Sequence, residues 1–219
     1  MKPKELLKFY IENELVDILE TLGFKYAKSG PKFSRKTGPF NLSFSFSISK
    51  YSSDDHCIFW TTWSISSKEY KKWYKKIWDN ELVSDVIIDS SDWNIPNWLE
   101  SEHDYDHVVL HNSEVDTKEF KRFVHNVLNV GIPYYEQVKD WRTAADLALQ
   151  APTIFYGEVC DFYIMANQRD KAKRILDYAL ERAMDEDYEE LKIRMEKYFN
   201  KNCDQRKSNL GSGCEVAQK

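Results

Sequence analysis

Four cysteines, Cys57, Cys160, Cys203 and Cys214, are scattered through 219 residues, and no two form a C-x-x-C pair. No paired metal or redox motif is therefore present, and the thiols are expected to be free in a reducing compartment. No run approaches the roughly 20 apolar residues of a membrane span. Charges from Lys2 to Glu20 break up the N-terminal segment, so it carries no apolar export core. The expected location is cytoplasmic, with no membrane partner. G-x-S-x-G, H-E-x-x-H and G-x-G-x-x-G are also lacking, which removes the readily recognised hydrolase, zinc-peptidase and dinucleotide chemistries. Gly30 to Thr37 comes nearest to a phosphate loop. Arg35, however, stands where a glycine must let the backbone curl around the anion, and Gly38-Pro39 leaves no helix N-terminus behind it.

What the chain does have is aromatic mass and clear periodicity. Seven Trp, thirteen Tyr and twelve Phe are enough to build a substantial core. Phe40, Leu42, Phe44, Phe46 and Ile48 alternate with Asn41, Ser43, Ser45, Ser47 and Ser49. Period two predicts a strand over 40–50 with one apolar face and one row of hydroxyls. A second alternating run over 57–65 follows a polar turn and predicts an antiparallel hairpin. Helices are predicted over 3–22, where Gly23 supplies a stop, and after the Ser66/Ser67 caps, where Tyr70, Trp73, Tyr74, Ile77 and Trp78 form the stripe. A third begins at Asp116 or Thr117 and is predicted to stop at Gly131, before Pro133. Residues 28–39 read as a basic loop, and 82–88 and 106–111 as short strands. Helices are predicted over 141–149, 153–167, 169–184 and 186–199, followed by a polar tail over 201–219.

The fold class these elements predict is α+β: an antiparallel sheet of about four to five strands, helices on one face, and a C-terminal helical hairpin. The expected organisation is an α+β domain over 1–150, helices over 151–200 packed on it, and a disordered tail over 201–219.

Charge is unevenly distributed. Residues 81–130 hold eleven acidic and three basic side chains, whereas residues 1–80 are net basic. An acidic stretch attracts basic partners and repels nucleic acid. The expected partner-binding residues are Asp89, Asp92, Glu100, Glu102, Asp104 and Asp106, with Trp93 and Trp98 as aromatic anchors inside a charged rim. The plainer reading of these acids is a solvated loop, and of the two Trp residues, packing. His103, His107 and His111 are spaced by four. A β-branched segment places His107 and His111 on one strand face about 13 Å apart, too far for one metal. His56 and Cys57 are strand neighbours that point to opposite faces, which argues against a nucleophile pair. No catalytic residue, metal or cofactor is expected.

Residues 5–150 resemble an uncharacterised bacterial family, one of the domains of unknown function. The likeness rests on Leu22-Gly23-Phe24-Lys25, on Phe33-Ser34-Arg35 leading into the strand at Phe40 to Ile48, and on Gly131-Ile132-Pro133-Tyr134-Tyr135. The hairpin after it resembles a single tetratricopeptide unit, with Ala172 and Ala179 at the small-residue positions and Cys160 in place of the glycine. Such families carry no established catalytic residues. Small acidic α+β proteins of this kind include immunity proteins that neutralise bacterial toxins. The expected function is thus a non-enzymatic protein-interaction protein, of which an immunity protein binding a basic toxin is one form. The alternatives are an enzyme with an unrecognised pocket and, more weakly, a single-stranded nucleic-acid binder acting through the basic residues from Lys25 to Lys36.

Overall fold

The computed structural model describes residues 1–99, 107–111 and 117–200. These form two compact units, divided between Asp140 and Trp141. The first is an α+β unit built on a six-stranded antiparallel sheet: β1 (Lys25–Ala27), β2 (Lys32–Thr37), β3 (Phe40–Ile48), β4 (His56–Ser66), β5 (Val86–Ser91) and β6 (Val108–His111). The order is β1-β2-β3-β4-β5, and β6 also pairs with β4. The segment expected to be a basic loop is strand β2, whose residues from Lys32 to Thr37 pair with β3. Five of its six side chains are polar, so only Phe33 signals a core face.

The registers align aromatic residues into one row across four strands. Tyr26 lies opposite Phe33, Phe33 opposite Phe44, and Phe44 opposite Trp63. Their rings stack at centroid distances of 4.9, 5.2 and 4.3 Å. Cross-strand aromatic pairs of this kind stabilise a sheet beyond simple area burial. Helix α1 (Pro3–Glu14), followed after a break at Leu15 by α2 (Val16–Thr21), packs on this face together with α4 (Thr117–Asn126). Tyr10 meets Phe120 at 5.0 Å, and Phe59 meets Phe123 at 5.2 Å. The serine parity of β3 is closed over part of its length. Ser43 is buried, and its Oγ is 2.9 Å from that of its register partner Ser64.

Helix α3 (Lys68–Trp78) starts at Ser67, whose Oγ accepts from Tyr70 N–H and donates to the Pro39 carbonyl. Strand β5 begins at Val86 rather than at Leu82, where the sequence pattern places its start: Leu82 to Asp85 stay outside the β4 ladder, with Val83 fully exposed. The helix expected to stop at Gly131 does not stop there. After α4 the chain widens into a π-helical turn, Val127–Gly131, and runs on as α5 (Ile132–Tyr135). Pro133 cannot donate to an i−4 carbonyl, and a π turn accommodates such a break within a continuous helix.

The second unit is helical: α6 (Trp141–Ala148), α7 (Tyr156–Met165), α8 (Arg169–Leu180), and α9 (Asp185–Met195) running into a π turn, Glu196–Asn200. The boundary falls before α6, not at 150, because α6 turns a buried face of Trp141, Ala144, Ala145 and Leu147 toward α7, with Trp141 against Phe162 at 5.8 Å. The hairpin of α7 and α8 turns on Asn167, at φ 57°, with Gln168 N–H donating to the Tyr163 carbonyl. This left-handed C-cap satisfies the last carbonyls of α7. Among the described residues no helix is long and apolar enough to cross a membrane.

Candidate functional site

Of the eight residues expected to bind a partner, Asp89, Asp92, Trp93 and Trp98 are among the described residues. Glu100, Glu102, Asp104 and Asp106, with His103, lie outside the described residues. Asp89 is exposed on β5, opposite Ser64. Asp92 is buried and cannot serve as a surface charge. Along the side of β4 facing away from β3, β6 pairs with residues 56–59 and β5 with residues 62–66. The Asp92 carboxylate fills the gap between them, accepting from Thr61 N–H and Thr61 Oγ at 2.7 Å each and from Trp93 N–H at 3.0 Å. Thr61 Oγ in turn accepts from Trp63 Nε1 at 3.0 Å, so the carboxylate anchors a chain of hydrogen bonds into the aromatic core.

Trp98 is likewise a packing residue. Its ring meets Trp63 and Phe123, each at 6.2 Å, and the backbone of Leu99 beside it is clamped by the buried Asn126 side chain at 2.9 and 3.2 Å. Trp93 remains 39% exposed, packed on His107 at 5.1 Å. His107 also stacks on Trp60 at 4.8 Å. Glu81, at the start of the acidic stretch, is paired with Lys71 and Lys75. Of the expected partner residues among those described, Asp89 and Trp93 are exposed and Trp98 is half-buried.

Burial raises the Asp92 carboxyl above the usual carboxylate range, and the hydrogen bonds from Thr61 and Trp93, together with nearby His107, partly offset the shift. A carboxyl whose folded pKa is raised contributes stability that is fully present below its unfolded value and is lost as pH rises through the folded value. Asp92→Asn keeps an acceptor and abolishes this titration. It should cost about 1 kcal/mol, the scale of one weakened hydrogen bond. The stability advantage of the parent over the variant should shrink as pH rises from the acid range, as read from urea unfolding across pH. An advantage that grows with pH would contradict the shift.

The two thiols among the described residues, Cys57 and Cys160, are poor nucleophile candidates. Cys57 is buried, and burial pushes its thiol up to about 11; Cys160 is also buried and raised, chiefly by burial and then by the Asp161 charge. His56 lies on the opposite strand face from Cys57, as the alternation predicts.

A surface that the sequence did not single out lies on the helical unit. A groove of about 360 Å³ runs between the N-terminus of α7, the C-terminus of α8 and the start of α9. Ile154, Tyr156, Ala179 and the buried Leu191 supply its apolar lining. Phe155 and Met184 also line it, at 65% and 81% exposure. Glu158 and Asp187 bring carboxylates to it, Glu190 lines it while ion-paired with Arg194, and Arg182 is the cation in the lining. Arg182 is engaged locally: its guanidinium lies 3.9 Å from the Tyr178 ring centre and contacts Glu181. Phe155 and Met184 fall in the joints between helices, outside any helical stripe. An apolar residue in an interhelical joint is the one signal in the sequence that could have marked them.

Comparison with protein families, with curated proteins and with solved structures finds no match to this chain.

Proposed function

We propose that this chain is a non-catalytic protein-interaction protein and that the groove of the helical unit receives an apolar, basic segment of a partner protein. The observation that carries the reading is the pairing of two largely exposed apolar side chains, Phe155 and Met184, with an acid-rich lining. Large apolar side chains standing in water at the lip of a groove release free energy when covered, at roughly 25 cal/mol per Å². Carboxylates beside them favour a cationic occupant and speed its encounter. A groove of this volume has room for side chains of an extended or helical segment. In the α+β unit, exposed Asp89 and Trp93 offer a second acidic and aromatic contact for the same class of partner.

The test uses a short fluorescein-labelled peptide of mixed lysine and leucine and its glutamate-for-lysine counterpart, read by fluorescence anisotropy. Saturable binding of the lysine peptide, weakened by salt, is expected. Joint replacement Phe155→Ser and Met184→Ser should weaken it by about tenfold or more, or 1.4 kcal/mol per decade. Asp187→Lys should act in the same direction. Equal binding of the glutamate peptide, absence of saturable binding, or undiminished affinity of the Phe155/Met184 variant would overturn the reading.

A further inference from the structure

We propose that His56 and His111 form a two-histidine site for a divalent transition metal on the ribbon of β4 and β6. In sequence the two are far apart, and four-residue spacing directs attention to His103, His107 and His111 instead. The antiparallel register removes that separation, because His56 lies directly opposite His111. Their ring centroids are 6.2 Å apart. An ion about 2.0–2.1 Å from one nitrogen of each ring places the two ring centres roughly 5–6.5 Å apart, so the pair already stands at chelating separation.

His56 is held in place. Ser53 N–H donates to the His56 carbonyl at 2.9 Å, and His56 N–H donates back to the Ser53 carbonyl at 3.2 Å, closing the turn before β4. Ser53 Oγ lies 3.0 Å from His56 Nδ1. With Nδ1–H donating to Oγ, the Nε2 lone pair is left for a metal, the arrangement by which an outer hydrogen bond fixes a ligand tautomer. His111 is exposed and completes the pair from the neighbouring strand. Among the described residues no third His, Cys, Asp or Glu converges there, so water fills the remaining positions. Imidazole donors suit zinc, copper and nickel. Asp54 and Asp55, adjoining His56 in the turn, add a negative field that draws cations in.

The test uses the full chain with Cys203→Ser and Cys214→Ser, so that tail thiols cannot bind the ion. Zinc chloride is titrated calorimetrically and by imidazole ¹H–¹⁵N spectra, with reversal by EDTA. One-to-one saturable binding is expected, with the spectral changes centred on His56 and His111. His56→Ala and His111→Ala should each weaken it by at least about tenfold, and Ser53→Ala by about tenfold through loss of the outer hydrogen bond. His111→Asn, which keeps a polar side chain on the strand, should be as weak as His111→Ala. His125→Ala, on α4, should bind as the parent does. Absence of saturable binding, spectral changes centred elsewhere, or unchanged affinity in both histidine variants would overturn the site.

Discussion

Arg194→Ala should lower the stability of the helical unit by about 3–5 kcal/mol, the cost of leaving a buried charge without its counterion. Arg194 on α9 is 3% exposed, and its partner Asp161 on α7 is 0% exposed. The guanidinium donates to both Asp161 oxygens, Nη2 at 3.1 Å and Nε at 3.3 Å, and Nη1 donates to Glu190. Tyr198 Oη donates to Asp161 Oδ1 at 2.6 Å, bringing the π turn after α9 into the same network. The seat is shaped for the guanidinium: a Cβ on Gly157 would lie 2.8 Å from Arg194 Cζ. Truncating the arginine therefore strands the Asp161 charge away from water and opens a void on α7. Arg194→Lys should recover only part of the loss, since an ammonium cannot bridge both oxygens in the plane of the fork.

The same physics gives that prediction a second arm. Replacing its three buried members with apolar groups of similar volume, Asp161→Leu with Arg194→Met and Tyr198→Phe, should recover most of the single-variant loss. A buried ion pair gains little over a packed apolar cluster once both desolvation penalties are removed. Denaturant unfolding followed by helical circular dichroism reads both variants. If the single and triple replacements lose equal stability, the cost comes from packing and not from the unpaired charge.

How far the sequence discloses this architecture depends on whether a feature is local. The alternation from Phe40 to Ile48 is local, because period two arises within one strand, and it places the core face correctly. The amphipathic stripes of α3 and α4 are local in the same sense. Strand β2 is hidden because its pairing, not its composition, makes it a strand, and its polar residues read equally well as loop. Asp92 reads as a surface charge because most aspartates are. Its burial follows from the division of one side of β4 between β5 and β6, which no single segment encodes. The juxtaposition of His56 with His111 and the groove beside Phe155 and Met184 arise in the same way, from registers and helix packing set by distant parts of the chain.

Gly131→Ala should destabilise the α+β unit by about 1–3 kcal/mol, the usual range for forcing an extra group into a packed core, and Gly131→Val by more. The sign is informative because local propensity points the other way. Gly131 has φ −63° and ψ −54°, ordinary right-handed helix, so alanine fits the backbone and would gain up to about 1 kcal/mol of helix propensity. A glycine serving as a helix stop would instead sit at positive φ. What requires glycine here is contact: an added Cβ would lie 2.6 and 2.7 Å from Trp63 Cζ2 and Cη2, and 3.1 Å from Trp98 Cζ3.

Trp63 has nowhere to retreat. It is fully buried, stacked on Phe44 at 4.3 Å and on Tyr135 at 5.5 Å, and its Nε1 is fixed to Thr61. The clash must therefore move the helix away from the sheet or tear the aromatic row. Trp63→Phe removes the two clashing ring atoms at the cost of a cavity, so the Gly131→Ala/Trp63→Phe double variant should be more stable than the sum of the two single losses predicts. Urea unfolding of the four proteins in that cycle measures the coupling. A stabilising Gly131→Ala, or strictly additive losses, would mean that helix propensity rather than contact with Trp63 governs this position.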